Sequence, residues 1–65
     1  MRYYIYGDSV EFDTLQGLRT HYEAMSWKDK VKVLGRNLIK HDETKTTRIG
    51  YITFLKGKVK INRYK

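Results

Sequence analysis

Between Arg48 and Tyr64, apolar and polar residues alternate on both sides of Lys56-Gly57, and few folds accommodate that pattern. A period of two sends successive side chains to opposite faces of a strand. Two such runs about a turn dipeptide predict an antiparallel hairpin, Arg48–Leu55 with Lys58–Tyr64. A two-residue loop sets Phe54 opposite Val59 and Ile52 opposite Ile61, and a loop from Leu55 to Lys58 keeps that pairing. A three-residue loop would set Phe54 against Lys58 and mix the two faces, so it is rejected. One face then carries Ile52, Phe54, Val59 and Ile61, which is core. The other carries Tyr51, Thr53, Lys58, Lys60, Asn62 and Tyr64.

The first twelve residues predict a second hairpin. Tyr3–Tyr6 and Ser9–Phe12 flank Gly7-Asp8, and glycine first in a two-residue loop suits a type II′ turn. This register pairs Ile5 with Val10 and Tyr3 with Phe12 on an apolar face. Tyr4, Tyr6, Ser9 and Glu11 fall on the other face.

Two consecutive helices follow. Asp13 is the expected N-cap of the first, with Gln16 as its capping-box partner. Leu15, Leu18, Tyr22 and Met25 form one apolar stripe at helical spacing. Ser26 with Asp29 is a second capping box, and Gly35 suits the residue that ends a helix. Trp27, Val31 and Leu34 form a stripe at i, i+4 and i+7, so they are expected to face the core, with Trp27 plugging its edge. Lys30-Val31-Lys32-Val33 also alternates like a strand, but the cap and the glycine stop favour helix for 30–34. Residues 37–41 predict a third strand, and Asp42–Thr47 is polar enough to be a loop.

A chain of 65 residues is expected to form one domain, burying only about 60% of the surface of its unfolded form. The nine aromatic residues argue against disorder. No apolar run approaches the roughly 20 residues of a membrane span. Met1 and Arg2 lead directly into Tyr3-Tyr4-Ile5-Tyr6, so no secretory leader is expected. The lack of cysteine removes disulfides and thiolate metal sites and favours a cytoplasmic location.

Charge is unevenly distributed. In residues 1–34 basic and acidic side chains balance, whereas in residues 35–65 only Asp42 and Glu43 oppose the basic residues. The formal charge of +7 therefore resides in the second half and points to an acidic partner, a nucleic acid or an acidic protein. A plain solubility role for the lysines is the competing explanation.

The polar face of the C-terminal hairpin is the leading candidate site. Phosphates need cations and bases need flat rings. Lys58 and Lys60 supply the first and Tyr51 and Tyr64 the second, while Asn62 can hydrogen-bond a base edge. Arg48, Lys56, Arg63 and Lys65 lie at its rim or ends. Tyr4 and Tyr6 form a second aromatic pair suited to a protein interface. His21 and His41 are too isolated to make a metal site, and no cofactor motif is present. Ser9 and Ser26 lack an evident base, and Asp42 and Glu43 would diverge on a strand, so no catalytic constellation is expected.

The sequence thus predicts an α+β fold: an N-terminal β-hairpin, two consecutive helices and a three-stranded antiparallel meander, with both helices on one face of the sheet. The expected function is that of a small binding module, nucleic-acid binding first. The alternative is an interaction or inhibitory accessory protein docking on an acidic protein. A homodimer through the terminal strand 58–64 is a third arrangement, available if nothing covers that edge.

Overall fold

A computed structural model describes residues 1–64. It has the predicted α+β architecture. In chain order the elements are β1 (Arg2–Ile5), β2 (Glu11–Phe12), α1 (Leu15–Glu23), α2 (Trp27–Val33), β3 (Asn37–His41), β4 (Thr46–Leu55) and β5 (Lys58–Arg63). The hairpin and the meander join in one five-stranded antiparallel sheet of order β2-β1-β3-β4-β5, because β1 pairs with β3. Among the described residues no helix is long and apolar enough to cross a membrane.

One apolar cluster lies between the sheet and the helices. Ile5, Leu38, Ile52 and Val59 enter it from the strands, Leu18 and Tyr22 from α1, and Val33 from α2. Both helices therefore cover the same face. Leu15 and Met25 pack against this cluster, which completes the α1 stripe expected from sequence.

The C-terminal hairpin has the predicted register, with Ile52 opposite Ile61 and Phe54 opposite Val59. Lys56 (φ 53°) and Gly57 (φ 80°) form its two-residue loop, both in the left-handed conformation that a type I′ turn requires. β4 starts earlier than expected, at Thr46, since Asp42 and Lys45 exchange backbone hydrogen bonds of 2.7 and 3.4 Å and close the loop. Within the ladder, Leu38 pairs with Gly50 and Ile39 with Arg48, leaving Ile49 as a bulge. Next to it, a Cβ on Gly50 would lie 2.0 Å from the carbonyl oxygen of Asn62, so only glycine permits β5 to approach this closely.

Three local expectations are corrected. The N-terminal hairpin keeps the Tyr3–Phe12 register, but β2 is only two residues long and Val10 is exposed rather than paired with Ile5. The turn spans Ile5–Asp8, with Gly7 at φ 89° and the Asp8 N–H donating to Ile5 O (2.9 Å), so it is not a type II′ turn centred on Gly7-Asp8. Two bonds explain this. The Tyr6 N–H donates to Asn37 O (2.9 Å), extending β1 along β3, and the Tyr22 hydroxyl donates to Asp8 Oδ2 (2.7 Å), drawing the loop onto α1.

The N-cap of α1 is Thr14 rather than Asp13. Its Oγ1 accepts from the Gly17 N–H at 3.0 Å, while the Gln16 amide donates to Thr20 Oγ1.

The third correction concerns α2, which is helical as predicted but turned differently. Its buried residues are Lys30 and Val33, whereas Trp27, Val31 and Leu34 are 57%, 62% and 48% exposed; Trp27 still meets the edge of the core, its ring edge-on to Phe54 with centroids 6.0 Å apart. A helix of two turns is marginal by itself and is held by its tertiary contacts. Here the Arg36 N–H donates to Val33 O, the Gly35 N–H donates to Ile52 O (2.8 Å), and the Ile52 N–H donates to Arg36 O (3.1 Å). Those bonds fasten the C-terminal end of α2 to β4 and turn Val33 inward.

Candidate nucleic-acid interface

The helices cover one face of the sheet and leave the other open. Cross-strand neighbours share a face, so the register identifies the occupants of the open face. Asn37 lies opposite Tyr51, and Tyr51 opposite Asn62. The Tyr6–Asn37 backbone bond adds Tyr6 to the same row. A transverse line Tyr6, Asn37, Tyr51, Asn62 thus crosses four strands. Tyr6 and Tyr51 are two strand spacings apart, about 10 Å. A second row holds Glu11, Tyr4, Ile39 and Arg48. The two aromatic pairs expected at separate sites therefore lie on one surface.

Tyr51 and Tyr64 stand together, with ring centroids 6.0 Å apart and planes inclined by 45°. The Tyr64 hydroxyl donates to Asn37 Oδ1 at 2.5 Å, which fixes the ring across β4 towards β3. Both rings keep exposed surface, as does Tyr6, while Tyr4 is half-buried. Lys60 lies opposite Thr53 and Lys58 opposite Leu55 on the same side, and both residues are exposed.

Asn62 is committed to the fold on one side. Its Nδ2 donates to Thr53 Oγ1 (3.0 Å), with longer contacts to Tyr51 O (3.3 Å) and Lys60 O (3.4 Å). Only its Oδ1 remains for a partner, so it can accept a hydrogen bond but not donate one.

The electrostatics are one-sided. Glu11 is paired with Arg2 at 3.1 Å, and Lys32 with Asp29 at 3.7 Å on α2. Among the described residues no carboxylate pairs with Arg48, Lys56, Lys58, Lys60 or Arg63. Arg48 lies opposite Ile39, which is 4% exposed despite facing the open side. Tyr4 and Arg48 are its cross-strand neighbours on either side. Arg63 lies opposite Gly50 and so faces the helix side. With Lys40 and Arg48 it lines a cleft of about 380 Å³ at the end of the sheet. Lys65 lies outside the described residues.

The free edge of β5 is partly closed. The Val59 N–H donates to Glu23 Oε2 (2.9 Å) and Arg19 donates to Val59 O (3.2 Å), so α1 occupies both outward backbone groups of that residue. By alternation, the peptide groups of Ile61 and Arg63 are the ones left facing outward.

The histidines lie apart. The His21 ring packs against Phe12 and Tyr22, with centroids 5.1 and 5.0 Å away, and His41 Nδ1 contacts Thr46 Oγ1 at 2.9 Å. Among the described residues no group of three or more His, Asp or Glu side chains is placed to hold a metal ion. Ser26 is the N-cap residue of α2, and its hydroxyl donates to Asp29 Oδ2 at 3.4 Å.

Sequence reasoning identified the residues of this face on β4 and β5 and missed Asn37, Ile39 and Arg48 as its centre. The missing signal was the β1–β3 pairing, which no local pattern encodes. Comparison of the chain with protein-family models, with curated proteins and with solved structures finds no match.

Proposed function

We propose that this protein is a non-catalytic module that binds single-stranded nucleic acid on the open face of its sheet. One observation carries the reading: among the described residues, exposed tyrosines and cations without an ion-pair partner occupy a single continuous face, whose one carboxylate, Glu11, is already paired with Arg2. Bases of a single strand can stack on flat rings, whereas those of a duplex are hidden from a sheet surface. Tyr51 and Tyr64 are the stacking platform, with Tyr6 one step further along the same surface. Lys58, Lys60, Arg48 and Lys56 meet phosphates, and Asn62 Oδ1 accepts from a base amino group.

The assay is fluorescence anisotropy with labelled single-stranded DNA, RNA and duplex DNA at two salt concentrations. Four phosphate contacts give a slope of log K against log salt of about −3, so affinity falls about 50-fold from about 50 to 200 mM. Lys58→Glu with Lys60→Glu is expected to abolish binding while leaving the circular dichroism spectrum unchanged, since both side chains are exposed. Unchanged affinity in that variant, or a preference for duplex, contradicts the proposal.

A further inference from the structure

The exposed stripe on α2 is only partly explained by the fold: the Trp27 ring stands edge-on to Phe54, with centroids 6.0 Å apart, while Val31 and Leu34 have no such role. Trp27, Val31 and Leu34 recur at helical spacing, remain 57%, 62% and 48% exposed, and extend about 10 Å along the helix. Single exposed apolar residues are common, but an aligned stripe that includes the chain's one tryptophan is a docking feature. We infer that this face of α2 docks an acidic amphipathic helix of a protein partner.

The surrounding charges select that occupant. Taking 100° per residue, Lys28 and Lys32, both exposed, flank the stripe on one side, while Lys30 on the other side is only 6% exposed. The Lys30 ammonium lies 4.8 Å from the Trp27 ring centroid and 5.6 Å from that of Phe54. It pins the indole against the body of the protein and leaves the outer part of the ring free. The Lys56-Gly57 turn lies beside it, since a Cβ on Gly57 would sit 3.9 Å from Lys30 Nζ. Asp29, the carboxylate on α2, points away from the stripe and is held by Lys32 (3.7 Å) and Ser26 (3.4 Å). An apolar strip with a basic margin of Lys28 and Lys32 complements a helix with leucine-like anchors bordered by Asp and Glu.

A second copy fits poorly, because α2 against α2 would bring the exposed Lys28 and Lys32 of both chains together on molecules that each carry +7. Nucleic acid can satisfy the lysines but offers nothing to Val31 and Leu34. The stripe lies on the helical side of the molecule, away from the open sheet face.

The chain's one tryptophan supplies the readout. The probe is a synthetic amphipathic helical peptide with leucines at i, i+3, i+4 and i+7 and glutamates elsewhere, titrated while Trp27 emission is followed. The controls are the same peptide with lysine for glutamate, a scrambled peptide that breaks the stripe, and anionic phospholipid vesicles. The expected result is a saturable blue shift with the glutamate peptide alone. Val31→Glu and Leu34→Glu should each weaken binding about tenfold or more and leave single-stranded nucleic-acid affinity unchanged. Val31→Ser, which removes the apolar contact without adding charge, should fall in between. Circular dichroism verifies that each variant is folded. No shift, equal binding of the lysine or scrambled peptide, tighter binding to vesicles, or indifference to both glutamate variants overturns the inference.

Discussion

Replacing Tyr22 by phenylalanine isolates one hydrogen bond that ties the N-terminal loop to α1. The ring is fully buried and remains in place, so no cavity forms. What is lost is the 2.7 Å bond from its hydroxyl to the Asp8 carboxylate. A hydrogen bond to a charged group contributes about 1.5–3 kcal/mol. For a domain of this size, a loss of about 2 kcal/mol lowers Tm by roughly 10 °C or more. The effect also has a pH signature. Burial, then the hydrogen bond and the negative charge of Asp8, hold the Tyr22 phenol well above the usual tyrosine range. In the unfolded chain the phenol ionises near pH 10. Above about pH 10 the folded state thus binds one proton more than the unfolded state, and stability falls by about 1.4 kcal/mol per pH unit until the folded phenol itself ionises. The Tyr22→Phe variant lacks that loss, while lysine titration is common to both proteins. Urea unfolding followed by circular dichroism should therefore show a gap of about 2 kcal/mol at pH 7 that shrinks to under about 1 kcal/mol at pH 11. A gap that is negligible at pH 7, or of equal size at both values, refutes the reasoning.

Gly50→Ala should be far more damaging than its size suggests, because the added methyl would lie 2.0 Å from the backbone oxygen of Asn62. A loss of about 3 kcal/mol or more is expected, and retention of the wild-type Tm would show that β5 can shift to make room. Glu23→Ala removes the acceptor for the Val59 N–H. The expected cost is about 1 kcal/mol, together with concentration-dependent association in light scattering as the β5 edge opens; a variant that stays monomeric at all concentrations would separate edge protection from this carboxylate.

The strands were legible where alternation and a turn dipeptide reinforced each other. The Phe54–Val59 and Ile52–Ile61 register follows from the rule that a one-residue slip exposes every apolar side chain. The same rule gave Tyr3–Phe12 but overextended β2, because Tyr6 is claimed by Asn37 and Asp8 by Tyr22, partners 31 and 14 residues away in the chain. The rotation of α2 was hidden for a similar reason. Trp27, Val31 and Leu34 form a better stripe than Lys30 and Val33, yet Gly35 and Arg36 bond to Ile52 and set the phase. The cap shifted from Asp13 to Thr14 because both residue types cap well and only the path of the chain chooses between them. The candidate site was legible as two halves. Tyr51, Lys58, Lys60, Asn62 and Tyr64 share a face by period alone, whereas joining them to Tyr4 and Tyr6 requires β1 to lie beside β3. The bulge at Ile49, which sets Arg48 opposite Ile39, has no sequence signature beyond the neighbouring Gly50.

The central claim is that tyrosines and lysines on the open sheet face act together on a single strand. Its most direct test is the affinity for a single-stranded oligonucleotide of the Tyr51→Ala, Tyr64→Ala protein, measured at high salt, where phosphate contacts are screened and stacking dominates. Each lost stacking contact costs about 1–3 kcal/mol, so binding should weaken by about 30-fold or more while the salt slope stays unchanged. Wild-type affinity in that variant, or no binding by the wild-type protein even at low salt, would contradict the account and leave the +7 charge as a solubility feature.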